Sequence, residues 1–154
     1  MTKDVLVHVK GMQGRFDLPE EEAEVLETFH RGSYYQKEEK QYLFYEEYLE
    51  DEKEVIKNAI RLEPGMLLMT KKGAVESSMV FVPGEKTNSI YHSPAGSIEL
   101  SCDTTVLTVT EEQQQIEIWL QYTLEMNQSY VSDNRVEITI QAVSGGDMRA
   151  LESE

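Results

Sequence analysis

Strict alternation of apolar and other residues is clearest in the last third of the chain. From residue 116 to residue 126 every second residue is apolar, and the set is Ile116, Ile118, Leu120, Tyr122, Leu124 and Met126. Residues 136–142 repeat the pattern, with Asp133-Asn134 as a predicted turn before them. A period of two is the spacing of a β-strand with one buried face. We therefore expect two strands whose inner face contains Ile116, Ile118, Leu120, Leu124, Val136, Ile138 and Ile140.

Shorter runs with the same period predict further strands at residues 5–10, 24–35, 41–48, 55–62, 66–71 and 102–110. Charged or Gly/Pro-containing turns are predicted between several of them, at residues 50–53, 63–65 and 111–114. The run before residue 32 has an alternative interpretation, in which Asp17 caps a short helix that begins at Pro19. Because Val25, Glu27 and Phe29 alternate with their neighbours, a strand from Glu24 to Tyr35 is favoured.

The run from Lys71 to Leu100 predicts three short strands joined by two turns. Pro83-Gly84-Glu85-Lys86 and Ser93-Pro94-Ala95-Gly96 supply the turn residues, since proline presets φ and glycine accepts positive φ. About ten strand candidates and no confident helix indicate an all-β protein. An antiparallel meander of this kind belongs to a sandwich or a closed barrel.

The same run resembles a known family. KKGAVESSMVF, the following Gly-Glu-Lys turn and SIYHSPAGSIEL are similar to the YwiB-type family, bacterial proteins of unknown function. YLFYEE at Tyr42–Glu47, WLQYTLEMNQSYVSDNRVEITI at Trp119–Ile140 and the opening DVLVHVKGMQ agree, so the resemblance covers nearly the whole chain. One departure is Ser93, where the family pattern has threonine before the Pro-x-Gly turn; serine keeps the hydroxyl. The resemblance implies a single antiparallel, calycin-like (lipocalin-like) β-barrel, and it implies no catalytic residue.

Length and composition limit the possibilities further. A chain of 154 residues is long enough for one domain, which we expect over residues 1–143, with a flexible tail at 144–154. Fourteen Lys and Arg against 29 Asp and Glu give a net charge of −15. Such a field repels nucleic acids and anionic membranes. We therefore expect neither as a partner.

The single cysteine, Cys102, rules out an internal disulfide and favours a reducing compartment. It lies in phase with Ile98 and Leu100, so a buried structural thiol is expected rather than a nucleophile. The short apolar stretch near the N-terminus is interrupted by His8, and no run approaches the roughly 20 apolar residues of a membrane helix. We therefore expect a cytoplasmic protein.

No catalytic or metal-binding motif is visible. His8, His30 and His92 are far apart and lack the local spacing of zinc ligands. There is no Gly-x-Ser-x-Gly elbow, dinucleotide loop or phosphate loop. We therefore expect no cofactor and no metal, and an enzyme is the least favoured class.

Glu47 is the carboxylate with the most informative position. It follows Leu43 and Tyr45 in phase, so it faces the interior of a barrel or lies at its rim in water. A buried carboxylate needs a proton or a cation, and Lys72, Arg61 or a tyrosine hydroxyl is the expected partner.

Two functions from different classes follow from the barrel. The first is binding of a small apolar or amphipathic ligand inside it, with the candidate residues Tyr45, Glu47, Lys72, Met79, Phe81, His92 and Tyr122. The second is a filled barrel that acts as an interaction or regulatory module for a protein partner, or for a second copy as a homodimer. Trp119, on the otherwise polar face of a long strand, supports the second. A packed interior would favour the second function, and a large cavity the first.

Overall fold

A computed structural model describes residues 3–16, 23–48 and 54–143. The described residues form ten β-strands, whose bounds are β1 (Lys3–Gly14), β2 (Glu24–Lys37), β3 (Lys40–Tyr48), β4 (Val55–Glu63), β5 (Met66–Gly73), β6 (Ser77–Phe81), β7 (Lys86–Ser93), β8 (Gly96–Glu111), β9 (Gln115–Met126) and β10 (Ser129–Ala142). The all-β prediction is confirmed, and the strand interpretation of residues 24–35 is correct.

The strands form one antiparallel sheet in the order β6-β5-β4-β3-β2-β1-β10-β9-β8-β7. Its two edge strands, β6 and β7, lie close to each other. Glu76, just before β6, and His92 of β7 exchange backbone hydrogen bonds of 2.9 and 2.7 Å. Gly84 N also donates to the carbonyl oxygen of Thr104 at 2.8 Å. The sheet is therefore a nearly closed barrel, as the resemblance implied.

Two details of the strand prediction were wrong. The strands expected at the end of the central run and at 102–110 are one strand, β8. The turn expected at Asp133-Asn134 lies instead at Asn127-Gln128, both with positive φ, and Asp133 and Asn134 belong to β10. Three predicted features lie outside the described residues: the helix cap at Asp17, the charged turn at 50–53 and the tail at 144–154.

The predicted inner face of β9 and β10 is confirmed. Ile116, Ile118, Leu120, Ile138 and Ile140 are buried, and Leu124 and Val136 pack against them. Side chains from β1 to β6 and from β8 join them in one cluster, and the ring centres of Phe81 and Tyr122 are 4.7 Å apart. Side chains thus fill the centre of the barrel.

Buried polar side chains are grouped near the end of the barrel where β1, β3 and β5 end. Asn58, Ser77, Ser132 and Asn134 face inward there. Buried apolar side chains, among them Ile56 and Leu100, lie at the same end. This end of the interior therefore contains hydrogen-bonding groups within an apolar core.

Within the described ranges, no helix is long and apolar enough to cross a membrane. In the same part of the chain, no group of three or more His, Cys, Asp and Glu side chains is placed to hold a metal ion.

Candidate functional site

The barrel wall opens where the pairing of β2 with β3 stops. That ladder runs from Lys37 opposite Lys40 to Gly32 opposite Tyr45, and it ends there. β2 nevertheless stays paired with β1 as far as Glu24. Among the described residues, β2 from Glu24 to Arg31 therefore has no strand partner on the β3 side.

Gly32 lies at the point where the two strands separate. A Cβ atom there would lie 2.6 Å from the carbonyl oxygen of Phe44 and 3.1 Å from Val7 Cγ2. A glycine inside a strand commonly marks such a close approach. Gly32 lets β3 come very near to β2 just before the strands diverge.

The gap forms a groove of about 890 Å³, here called the β2–β3 groove. It is lined by Asp4, Phe29, His30, Arg31, Gly32, Ser33, Phe44, Tyr45, Glu46, Tyr48, Lys57, Asn58, Ala59, Thr70 and Lys72. His30, Tyr45 and Asn58 are in phase with the barrel interior, and the flanking residues on each strand are in phase with the outside. The groove thus borders both faces of the wall.

Exposed aromatic rings form the outer lip of the β2–β3 groove. Phe29 is 73% exposed, Tyr48 64% and Phe44 41%. Phe29 also stacks on the ring of His8 at 4.4 Å, and Tyr35 stacks between Tyr42 and Phe44. Large apolar side chains grouped at the surface commonly mark a binding surface.

Three cations and two carboxylates, Asp4 and Glu46, line the same groove, so its charge is positive although the protein is strongly acidic. Lys57 and Lys72 are direct cross-strand neighbours on the outer face, and Arg31 lies on β2 across the gap. None of the three forms an ion pair with another described residue, whereas Glu46 is bound by the Tyr48 hydroxyl at 3.0 Å. Like charges directly opposite each other repel.

On the inner face of the wall, Glu47 lies in a hydrogen-bonded cluster. Its Oε1 accepts a bond of 2.9 Å from Lys71 Nζ and one of 2.8 Å from Asn58 Nδ2. Burial alone would raise the pKa of Glu47. The hydrogen bond and charge of Lys71, with the bond from Asn58, outweigh burial and lower the pKa below 4.5. Glu47 is therefore ionised at neutral pH and paired.

Tyr45 lies beside this cluster and is buried. Burial, with the neighbouring charge of Glu47, raises the pKa of its hydroxyl. The ring of His30 lies 4.7 Å from that of Tyr45, and His30 Nε2 is 2.9 Å from Thr28 Oγ1. Tyr45 thus stays protonated at neutral pH and is able to donate a hydrogen bond.

The other candidate residues divide into two groups. Met79, Phe81 and Tyr122 face inward, but they belong to the packed core. Lys72 and His92 are exposed; His92 Nδ1 lies 2.8 Å from Ser97 Oγ near the β7–β8 turn. Lys72 and Arg61 were wrong as partners of Glu47, since Lys71 takes that place. Lys72 points outward because adjacent strand residues face opposite sides.

Trp119 does not form an open patch. The guanidinium of Arg135 lies 4.7 Å from the centre of its ring, and its Nε1 donates to Gln121 Oε1 at 3.3 Å. A cation over the indole face is attracted to the ring and covers part of it. The exposed aromatic surface lies on the outer face of β2 and β3.

Cys102 is buried, and burial raises the pKa of its thiol to about 12. Because the thiolate is the reactive form, we expect a soluble disulfide reagent at pH 8 to leave Cys102 unmodified in the folded protein. In urea the same reagent should titrate one thiol per chain. Rapid reaction without denaturant would contradict the buried position.

The sequence interpretation missed Asn58, Lys71 and the groove. A signal for the first two was present, since Pro64-Gly65 is a two-residue hairpin that pairs Glu63 with Met66. Five residues away from the turn on each strand, the same register pairs Asn58 of β4 with Lys71 of β5. The groove had a weaker signal, the glycine inside β2.

The fold and this site define an antiparallel β-barrel with a packed centre and a groove through its wall. A model of the family described as "Domain of unknown function (DUF1934)" matches residues 7–138, and the chain belongs to that family. It is 35% identical over 81 residues to the uncharacterized beta-barrel protein YwiB of Bacillus subtilis (strain 168). That match covers 53% of this chain and 56% of the relative.

The crystal structure of the ywiB protein from Bacillus subtilis is similar to this fold. The TM-score is 0.77 at 24% identity, over 92% of each chain. At that identity the likeness shows the fold alone. The predicted membership of a YwiB-type β-barrel family is confirmed, and the family has no assigned activity.

Proposed function

We propose that this protein is a docking module that binds an extended, acidic segment of a partner protein as an added strand in the β2–β3 groove. One observation carries the proposal. β2 continues for eight residues, Glu24 to Arg31, beyond the point where its ladder with β3 ends. This is the filled-barrel interaction function, with its surface on β2 and β3.

The backbone of β2 from Glu24 to Arg31, which no described residue pairs with on the β3 side, supplies the affinity. A strand edge presents a row of N–H and C=O groups that an extended peptide can pair with. Val25, Leu26 and Phe29 are exposed on this edge, and apolar side chains on an open edge favour pairing with another chain. An added strand would cover them.

The charges of the groove favour an acidic partner. Lys57 and Lys72 repel each other, and with Arg31 the groove carries three cations against the two carboxylates of Asp4 and Glu46, of which Glu46 lies directly opposite Lys57. Acidic side chains on the outward face of an added strand would neutralise this group. The whole chain carries −15, so its overall field favours basic ligands, and preference for an acidic one would have to come from the groove.

The packed centre argues against the alternative ligand-binding function. A ligand enclosed in the barrel would have to displace core side chains such as Phe81 and Tyr122, which are already in contact. Rearranging a close-packed core costs free energy, because its side chains lose van der Waals contacts. An open groove needs no such displacement.

Two octapeptides test the proposal, one of alternating valine and glutamate and one of alternating valine and lysine. We expect the acidic peptide to bind at least about tenfold more tightly in fluorescence anisotropy at low salt, with the preference decreasing as salt is added. The double variant Lys57→Glu/Lys72→Glu should abolish binding of the acidic peptide.

Lys37→Glu/Lys40→Glu is the matched control. Lys37 and Lys40 also form an exposed cross-strand lysine pair, but they lie at the β2–β3 turn, away from the groove. The control variant should bind the acidic peptide about as well as wild type does. Equal or tighter binding of the basic peptide, or equal loss in both double variants, would exclude the proposal.

A further inference from the structure

A buried acceptor lies at the inner side of the β2–β3 groove. Asn58 is 2% exposed, and its Nδ2 donates to Glu47 Oε1 at 2.8 Å and to the carbonyl oxygen of Ile56 at 3.5 Å. These two acceptors fix the orientation of the amide. Its Oδ1 has no hydrogen-bond partner among the described residues.

An unsatisfied buried acceptor is unusual, because most buried polar atoms in proteins are hydrogen-bonded. The group has lost its contact with water and gains nothing in exchange. A donor brought to this oxygen recovers the lost interaction. The position therefore favours a partner that carries such a donor.

A strand added along β2 is placed to deliver a donor. Its side chains alternate between the outside and the interior of the barrel. Those that face inward would lie beside Tyr45 and Asn58, which line the groove, and would have to displace the ring of His30, which lies 4.7 Å from that of Tyr45. An inward-facing side chain is thus the nearest part of the partner to the unpaired oxygen.

The cluster selects the chemistry of that side chain. Lys71 already neutralises Glu47 at 2.9 Å, so a second cation would meet the charge of Lys71 without a free counter-charge. An anion would meet Glu47. A neutral, short donor avoids both costs.

Resting on the proposed docking of an acidic strand, we infer that the docked segment carries a serine, threonine or asparagine at an inward-facing position. That side chain donates a hydrogen bond to Asn58 Oδ1. Asn58 then determines which peptide side chain is preferred on the inner face, while Lys57 and Lys72 determine the preference on the outer face.

Replacing valine with threonine in the acidic octapeptide tests this inference. The two side chains have nearly the same shape, and only threonine donates a hydrogen bond. We expect the glutamate–threonine peptide to bind wild-type protein at least about tenfold more tightly than the glutamate–valine peptide. In Asn58→Leu, checked for folding by circular dichroism, the threonine peptide should bind no more tightly than the valine peptide, because its hydroxyl has lost the acceptor.

The outcomes separate this inference from the proposed function. If neither acidic peptide binds, docking itself is excluded, and this inference with it. If both bind wild type equally, the donor is excluded while docking stands. A threonine preference that persists in Asn58→Leu would exclude Asn58 as the acceptor. If Asn58→Leu does not fold, Asn58→Ala replaces it with the same expected loss of preference.

Discussion

Replacing Leu120 with alanine should lower the free energy of unfolding by about 2–5 kcal/mol. Leu120 is 0% exposed and lies in the middle of β9, opposite Val136 of β10 and Leu107 of β8. The truncation removes apolar contacts and leaves a cavity in an interior that side chains fill. Urea unfolding followed by circular dichroism measures the difference.

Leu6→Ala is the matched control for this measurement. Leu6 is 46% exposed on the outer face of β1, so the same truncation there should cost well below 2 kcal/mol. Equal losses at the two positions, or an unchanged unfolding curve for Leu120→Ala, would reverse the assignment of the inner face.

The strands could be predicted because one face of each is buried, which imposes a period of two on the sequence. The misplaced turn shows where local propensity was not enough. Asp133-Asn134 has the composition of a turn, but Asn134 is buried and its amide donates to Ser132 Oγ at 3.0 Å. Asn127, which takes positive φ as asparagine often does, was the better signal.

The candidate site was predictable only in part, because it depends on pairing between strands. The phase of Glu47 with Tyr45 left two positions open, the interior and the rim in water, and in the structure Glu47 is half-buried on the inner face. Its partner depended on the register of β4 with β5, and a shift by one residue exchanges Lys71 for Lys72 and the inner face for the outer one. The glycine inside β2 indicated a close approach of backbone, which is the contact of Gly32 with Phe44, but nothing in the local pattern showed that the ladder between β2 and β3 ends there.

Replacing Glu47 with glutamine should destabilise the protein at pH 7 by about 1–2 kcal/mol, a value reduced for the partial exposure of the pair. The change leaves Lys71 without its counter-charge inside the barrel mouth. The pKa of Glu47 is lower in the folded protein than its ordinary value of 4.5. Its ionisation therefore stabilises the fold above pH 4.5, and this contribution is lost as the pH falls through the folded pKa.

The difference between wild type and Glu47→Gln should consequently be largest at neutral pH and shrink steadily below pH 4.5, in urea unfolding measured across that range. Glu46→Gln is the control, because Glu46 is exposed on the outer face next to Tyr48 and has no cation inside the barrel to leave unpaired. Lys71→Met should reproduce the loss at pH 7, since it leaves the ionised carboxylate without its cation. If the two proteins have the same stability at every pH, Glu47 lies in water at the rim and the groove has no charged pair on its inner side. If Glu47→Gln is more stable than wild type at pH 8, the carboxyl is buried without a cation.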